Sequence, residues 1–170
     1  MMRNTIMTEK IVRRGVRVPS DYSADALDQI LVRDACIRDV VSLAAEQRMG
    51  ELRAWLASAG DVAKHQGFPV LDASGKPLGV LTRRTLFDAS VPDDATVGSL
   101  VSRPPLAVHE DHTLREAADH MVEADVGRLI VLGKGNSPQM VGILTRGDLL
   151  KAHAQRLREA RQASRHLGRK

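Results

Sequence analysis

The chain has 170 residues, 43% of them hydrophobic, and a formal net charge of +4. That length allows one ordinary domain or two small repeats packed together, since a repeat of about 60 residues alone buries too little surface to be sturdy. The single cysteine, Cys36, excludes an internal disulfide and fits a reducing compartment, and four aromatic residues leave the core to Leu, Val, Ile and Ala.

Residues 1–29 read as an extended, basic lead-in. Arg17-Val18-Pro19-Ser20-Asp21-Tyr22 has neither helical nor strand period, and the proline disfavours helix at Val18. Residues 30–41 alternate weakly and include the apolar Ile30-Leu31-Val32. From Met49 to His65 the pattern turns helical, with Leu52, Trp55, Leu56 and Ala59 on one face. Phe68-Pro69-Val70-Leu71 reads as a strand, Ser74-Gly75-Lys76-Pro77 as a turn, and Leu78-Gly79-Val80-Leu81 as a second strand before a helix near Arg83.

The order then returns. Thr113–Ala124 is helical, with Leu114, Ala117, Ala118, Met121 and Val122 on the apolar side. Leu129–Leu132 and Met140–Leu144 are strands, and a last helix starts near Arg146. Gly79-Val80-Leu81-Thr82-Arg83 comes back as Gly142-Ile143-Leu144-Thr145-Arg146, 63 positions later. Gly67 is matched with Gly127, and Leu52-Arg53 with Leu114-Arg115. Such self-similarity signals two copies of one supersecondary unit.

Charge is uneven. Residues 1–20 and 151–170 together carry +10, leaving −6 on the stretch between them. An acidic centre with few aromatics argues against nucleic acid, whereas basic ends suit an anionic surface such as a membrane. The final helix sets Leu150, Ala154, Leu157, Ala160 and Leu167 among its basic residues. No run approaches 18 apolar residues and the N-terminus lacks a signal-peptide core, so a soluble, cytoplasmic chain is expected.

Two copies of helix, strand, turn, strand and helix resemble the CBS domain. The second copy carries Gly142-Ile143-Leu144-Thr145-Arg146-Gly147-Asp148; the first has Thr85 in place of the acid. Gly67-Phe68-Pro69-Val70 is similar to the family's first long strand. The resemblance implies an α/β (α+β) fold of two βαββα units packed into a pseudo-two-fold module. Its expected divisions are a lead-in over 1–29, units over 30–92 and 93–152, and a basic helical tail over 153–170. It implies a non-catalytic regulatory module, a homodimer, and AMP, ADP or ATP as a ligand rather than a required cofactor. The lead-in Thr8–Val16 with Val32-Arg33-Asp34 also resembles the segment joining a ClC-type chloride channel or transporter to its cytoplasmic CBS pair. A membrane-embedded chloride transport domain is the partner this implies. A ligand-free dimerisation module of another protein is the alternative.

The expected ligand cleft is the one using Thr145 and Asp148. A carboxylate there accepts two hydrogen bonds from a ribose diol, and a helix N-terminus suits phosphate. The same pair also reads as a helix cap, with Asp148 an exposed first-turn acid. Arg146 flanks the motif. His65 and Gln66 stand before the first strand, where the family places a base-stacking residue, and Leu31 and Val32 would add a wall. Asp125, at the equivalent place in the second copy, would repel phosphate. Thr82 and Thr85 therefore mark a second, weaker cleft. His109-Glu110-Asp111-His112 reads as a solvated turn, not a metal site, and no catalytic nucleophile with a partner is evident.

Overall fold

The computed structural model describes residues 26–61, 65, 67–136 and 139–167. The expected lead-in therefore lies largely outside the described residues, as does Gln66. After a helical turn over 26–29 come α1 (Val32–Ala35), β1 (Leu43–Ala44), α2 (Met49–Ser58), β2 (Gly67–Leu71), β3 (Pro77–Thr82) and α3 (Arg83–Leu86). A 3-10 turn over Val97–Leu100 opens the second half, followed by β4 (Ala107–His109), α4 (Leu114–Glu123), β5 (Arg128–Leu132), β6 (Met140–Thr145) and α5 (Arg146–Leu167). The fold is mixed α/β. Each half has a three-stranded sheet, ordered β1-β2-β3 and β4-β5-β6, whose first pair is parallel and second antiparallel.

The central strands are buried on both faces, which is why they read as apolar runs rather than alternations. Phe68, Pro69 and Val70 are buried in β2, and Leu129, Ile130 and Val131 in β5. Ile130 N donates to Leu106 O at 2.9 Å. The aligned Pro69 has no N–H to offer, and parallel pairing with β1 starts one residue later, at Val70.

The helices bury one stripe each. In α2 it is Met49, Leu52 and Leu56; in α4 it is Leu114, Ala117 and Met121. These i, i+3, i+7 positions face the sheets. Trp55, expected on the stripe, is 41% exposed, and Val122 is 79% exposed, because each lies one position off the buried row. Helix α4 starts on a capping box: Thr113 N donates to Glu116 Oε2 at 2.7 Å and Glu116 N to Thr113 Oγ1 at 3.2 Å. Helix α2 has no side-chain cap. Met49 N and Gly50 N donate instead to Ala95 O and Asp93 O, each at 2.9 Å.

The buried rows and strand registers correct the alignment of the copies. Met49 answers Leu114, so Leu52 answers Ala117 rather than Leu114, an offset of 65. Gly67 and Arg128 each pair with the threonine ending the neighbouring strand, so Gly67 answers Arg128, not Gly127. The offset falls because the α2–β2 connection is longer than the α4–β5 one. It returns to 63 because the β5–β6 hairpin is longer than the β2–β3 hairpin.

The segment before each copy packs into the other copy's core. Val32 is fully buried among Val108, Leu114, Leu129 and Leu144; Val97 is fully buried among Leu43, Leu52, Phe68 and Val70. Matching backbone bonds hold them: Val32 N to His112 O and Val97 N to Gln47 O, both 2.8 Å. The two cores are thus closed reciprocally. Helix α5 packs through Leu149 and Ala152, while Leu150, expected on its apolar face, is 68% exposed. No helix among the described residues is long and apolar enough to cross a membrane.

Candidate functional site

Two clefts follow from this exchange. Each is bounded by the threonine that ends the last strand of one half, the linker crossing that half, and the helix-to-strand turn of the other half. The first-half cleft has a volume of about 590 Å³ and is lined by Thr82, Thr85, the linker Leu100–Leu106 and the turn residues Ala124, Val126, Gly127 and Arg128. Its twin in the second half has only about 100 Å³, lined by Ile37, Val40, Val41, His65, Arg128 and Thr145 among others.

The structure brings Thr145 and His65 together in the small cleft. His65 is exposed and meets the Phe68 ring edge-on, with centroids 6.3 Å apart. Asp148 is elsewhere. It lines a separate groove of about 440 Å³ with Asp34, Lys151 and Gln155, between α1 and α5. It is also not the exposed acid expected: it is 6% exposed, and its Oδ2 accepts from Thr145 N at 2.9 Å and Thr145 Oγ1 at 2.7 Å. Asp148 N in turn donates to Thr145 Oγ1 at 3.3 Å. One carboxylate oxygen is thereby committed to the start of α5.

Leu31 and Val32 do not line the small cleft. Leu31 bridges to Thr113, and Val32 is core. Arg146 is exposed; its N–H donates to Gly127 O at 3.0 Å and its guanidinium lies 3.7 Å from Asp125. That ion pair, with a left-handed φ of 51° at Asp125, turns the carboxylate outward, and Asp125 is not part of the large cleft's lining. By strand register His65 answers Val126, one residue beyond the equivalence expected. In the large cleft, Thr85 N donates to Thr82 Oγ1 at 3.3 Å and the two hydroxyls are 3.1 Å apart.

Arg128 lines both clefts. Its guanidinium lies where a Cβ on Gly67 would be, so glycine there makes room for it. Sequence reading missed Arg128 because matching Gly67 with Gly127 hides that these two residues face each other. Gly142 has a similar role: a Cβ there would stand 2.6 Å from Ile37 O and 3.2 Å from Cys36 Sγ. Partial burial raises the Cys36 thiol above its ordinary value, so it stays protonated near neutrality. Among the described residues no three His, Cys, Asp or Glu groups gather into a metal site.

The large cleft can do one thing well chemically. Apolar walls from Val80, Leu81, Pro104 and Pro105 accept an apolar group, while Thr82, Thr85 and Arg103 add polar groups and Arg128 lies at the border with the small cleft. Its volume lies within the range of about 300–1,000 Å³ typical of small-molecule sites.

A profile of the family described as CBS domain matches residues 32–92 and 97–155. An uncharacterized protein of Methanocaldococcus jannaschii is 32% identical over 85 residues, which is 50% of this chain and 28% of that protein. The chain thus aligns with less than a third of that relative's length. The solved CBS domain of a bacterial CNNM/CorC family Mg2+ transporter in complex with ATP superposes with a TM-score of 0.66 at 21% identity, covering 79% of this chain and 94% of the other. CBSX2 in complex with AMP gives 0.60 at 23% identity, covering 74% and 97%.

Proposed function

This chain belongs to the CBS domain family, and we propose that it is a regulatory, non-catalytic module that binds an adenine nucleotide in a cleft and relays its occupancy to a partner. The observation carrying this reading is the large cleft, where apolar walls meet two threonines and two arginines at the junction of the halves. A ligand seated there touches the linker, a strand end of one half and a turn of the other, so it favours one relative placement of the halves. That is how binding energy becomes a signal. Similar solved structures described with ATP and with AMP support the ligand class.

The partner is an ion transport protein, on the ClC-type chloride channel or transporter resemblance of the lead-in and on the likeness to a transporter's CBS domain. The module sits at the cytoplasmic face, forms a homodimer, and lays its basic ends on an anionic membrane surface. Trp55 and Phe87 supply exposed apolar groups on the first half for self-association; light scattering showing only monomer at tens of micromolar would count against the dimer.

A ligand-free dimerisation module is the second reading, favoured by the small volume of the Thr145 cleft and the absence of a carboxylate at Thr85. A thermal-shift screen with AMP, ADP, ATP and S-adenosylmethionine separates the two. At a ligand concentration 100 times Kd, stabilisation is about 2.7 kcal/mol. For a chain of this size the midpoint rises by about 5–11 °C. A flat response to every compound favours the structural module.

A further inference from the structure

The two clefts are equivalent by chain repeat but not equal. Cys36 answers Val101 across the linkers, since the first lies against Gly142 and the second against Gly79. One residue on, Ile37 therefore answers Ser102, and on the strands Ile143 answers Val80. Ile37 and Ile143 are joined by two backbone hydrogen bonds: Ile37 N to Ile143 O and Ile143 N to Ile37 O, both 2.9 Å. Among the described residues, Ser102 and Val80 make no such pair. The linker is thus bonded to the strand beside one cleft, whereas beside the other it packs on Gly79 through Val101 without that pair of bonds; the volumes are about 100 Å³ and about 590 Å³.

The linings differ in charge too. Asp39 is among the residues of the small cleft. Arg128 lines both clefts; the large one adds Arg103 and has no Asp or Glu. The position that could hold a ribose diol with a carboxylate is Thr85, so recognition there falls on the anionic end of a ligand.

We infer that each chain holds a single, phosphate-bearing ligand in the first-half cleft, and that the Ile37–Ile143 backbone clasp keeps the second cleft shut. The inference rests on the regulatory reading above and reverses the expected order of the clefts. Affinity rises with phosphate charge, because guanidinium–phosphate hydrogen bonds are charge-assisted. The cationic sulfonium of S-adenosylmethionine gains nothing from the arginine that is particular to this cleft, Arg103.

Titration calorimetry on the full chain tests this, with ATP, AMP and adenosine as the probes. Expected are one ATP per chain and adenosine weaker than ATP by about tenfold or more, the equivalent of one charge-assisted bond. Arg103→Ala weakens ATP by about the same factor and leaves adenosine unchanged; His65→Ala, in the small cleft, leaves both unchanged. Ile37→Pro removes one clasp donor. Cys36 already has ψ of 153°, the extended backbone a residue before proline adopts, and the stoichiometry should rise toward two. Amide exchange on the unliganded wild type gives a check that needs no variant: the clasp slows exchange at Ile37 and Ile143, and fast exchange at both would overturn it. Two ATP per wild-type chain, adenosine as tight as ATP, or sensitivity to His65→Ala in place of Arg103→Ala would also overturn the inference. No binding of any of the three probes would instead sink the regulatory reading beneath it.

Discussion

Val97→Ala probes the reciprocal closure of the two cores. Val97 lies in the segment that leads into the second copy, yet its side chain is fully buried in the first-half core, against Leu43, Leu52 and Phe68. The substitution removes two methyl groups, about 1.6 kcal/mol of transfer free energy at about 0.8 per carbon. The residual cavity brings the loss to about 2–3 kcal/mol. The backbone bond from residue 97 N to Gln47 O survives, so nothing else is removed. Thermal unfolding by circular dichroism should show a midpoint lower by about 4–12 °C. Amide exchange locates the damage: protected amides of β2 and β3 should exchange roughly 30-fold faster, the equivalent of about 2 kcal/mol. Val32→Ala should do the same to β5 and β6. Faster exchange confined to the second half in Val97→Ala would show that each copy closes its own core and would refute the exchange of segments.

Three further outcomes follow from named contacts. Asp148→Ala should destabilise the unliganded chain by about 1–3 kcal/mol, since it strands the part-buried Thr145 N–H; an unchanged denaturation midpoint would show that the cap contributes nothing. Arg158, Arg161 and Arg165 share one face of α5 and make no ion pair among the described residues. Replacing all three with Gln should weaken co-sedimentation with phosphatidylserine vesicles by about 100-fold at low salt, at about 1 kcal/mol each, and far less at high salt; equal binding by both proteins would rule out this helix as the contact. The third concerns pH. The Thr113 N–H holds Glu116 below its ordinary value of 4.5, and the Ser74 and Ser90 hydroxyls hold Asp72 and Asp88 below 3.8. Depressed folded values mean stability that is present above those ordinary values and lost as pH falls through and below them. Melting midpoints should therefore drop below about pH 4.5, and Glu116→Gln should remove the upper part of that drop; an identical acid profile in the variant would contradict the capping box's role.

The repeat, the strands and the helix faces were legible because burial imposes its period on Leu, Val and Ile. What sequence could not fix was register. Glycines at 67, 79, 127 and 142 look alike on the page, but they serve different neighbours: Gly67 clears space for Arg128 and Gly142 for the Ile37 carbonyl. Pairing Gly67 with Gly127 aligned two turns of unequal length and left Arg128 unnoticed. Thr145 and Asp148 fit both a cap and a ligand pair as a sequence motif. The geometry supplies the cap, because three positions at the start of a helix put the carboxylate back on the threonine. The difference between the clefts was illegible, since it rests on two backbone hydrogen bonds that no side chain announces.

The central claim, a nucleotide-sensing CBS pair with its ligand in the first-half cleft, is tested most directly by amide exchange with and without saturating ATP. The account predicts new protection confined to residues 80–82, 85, 100–106, 124 and 126–128, the strand end, linker and turn that line the large cleft. An exchange map unchanged by ATP, or protection centred on residues 37–41 and 145, would contradict it.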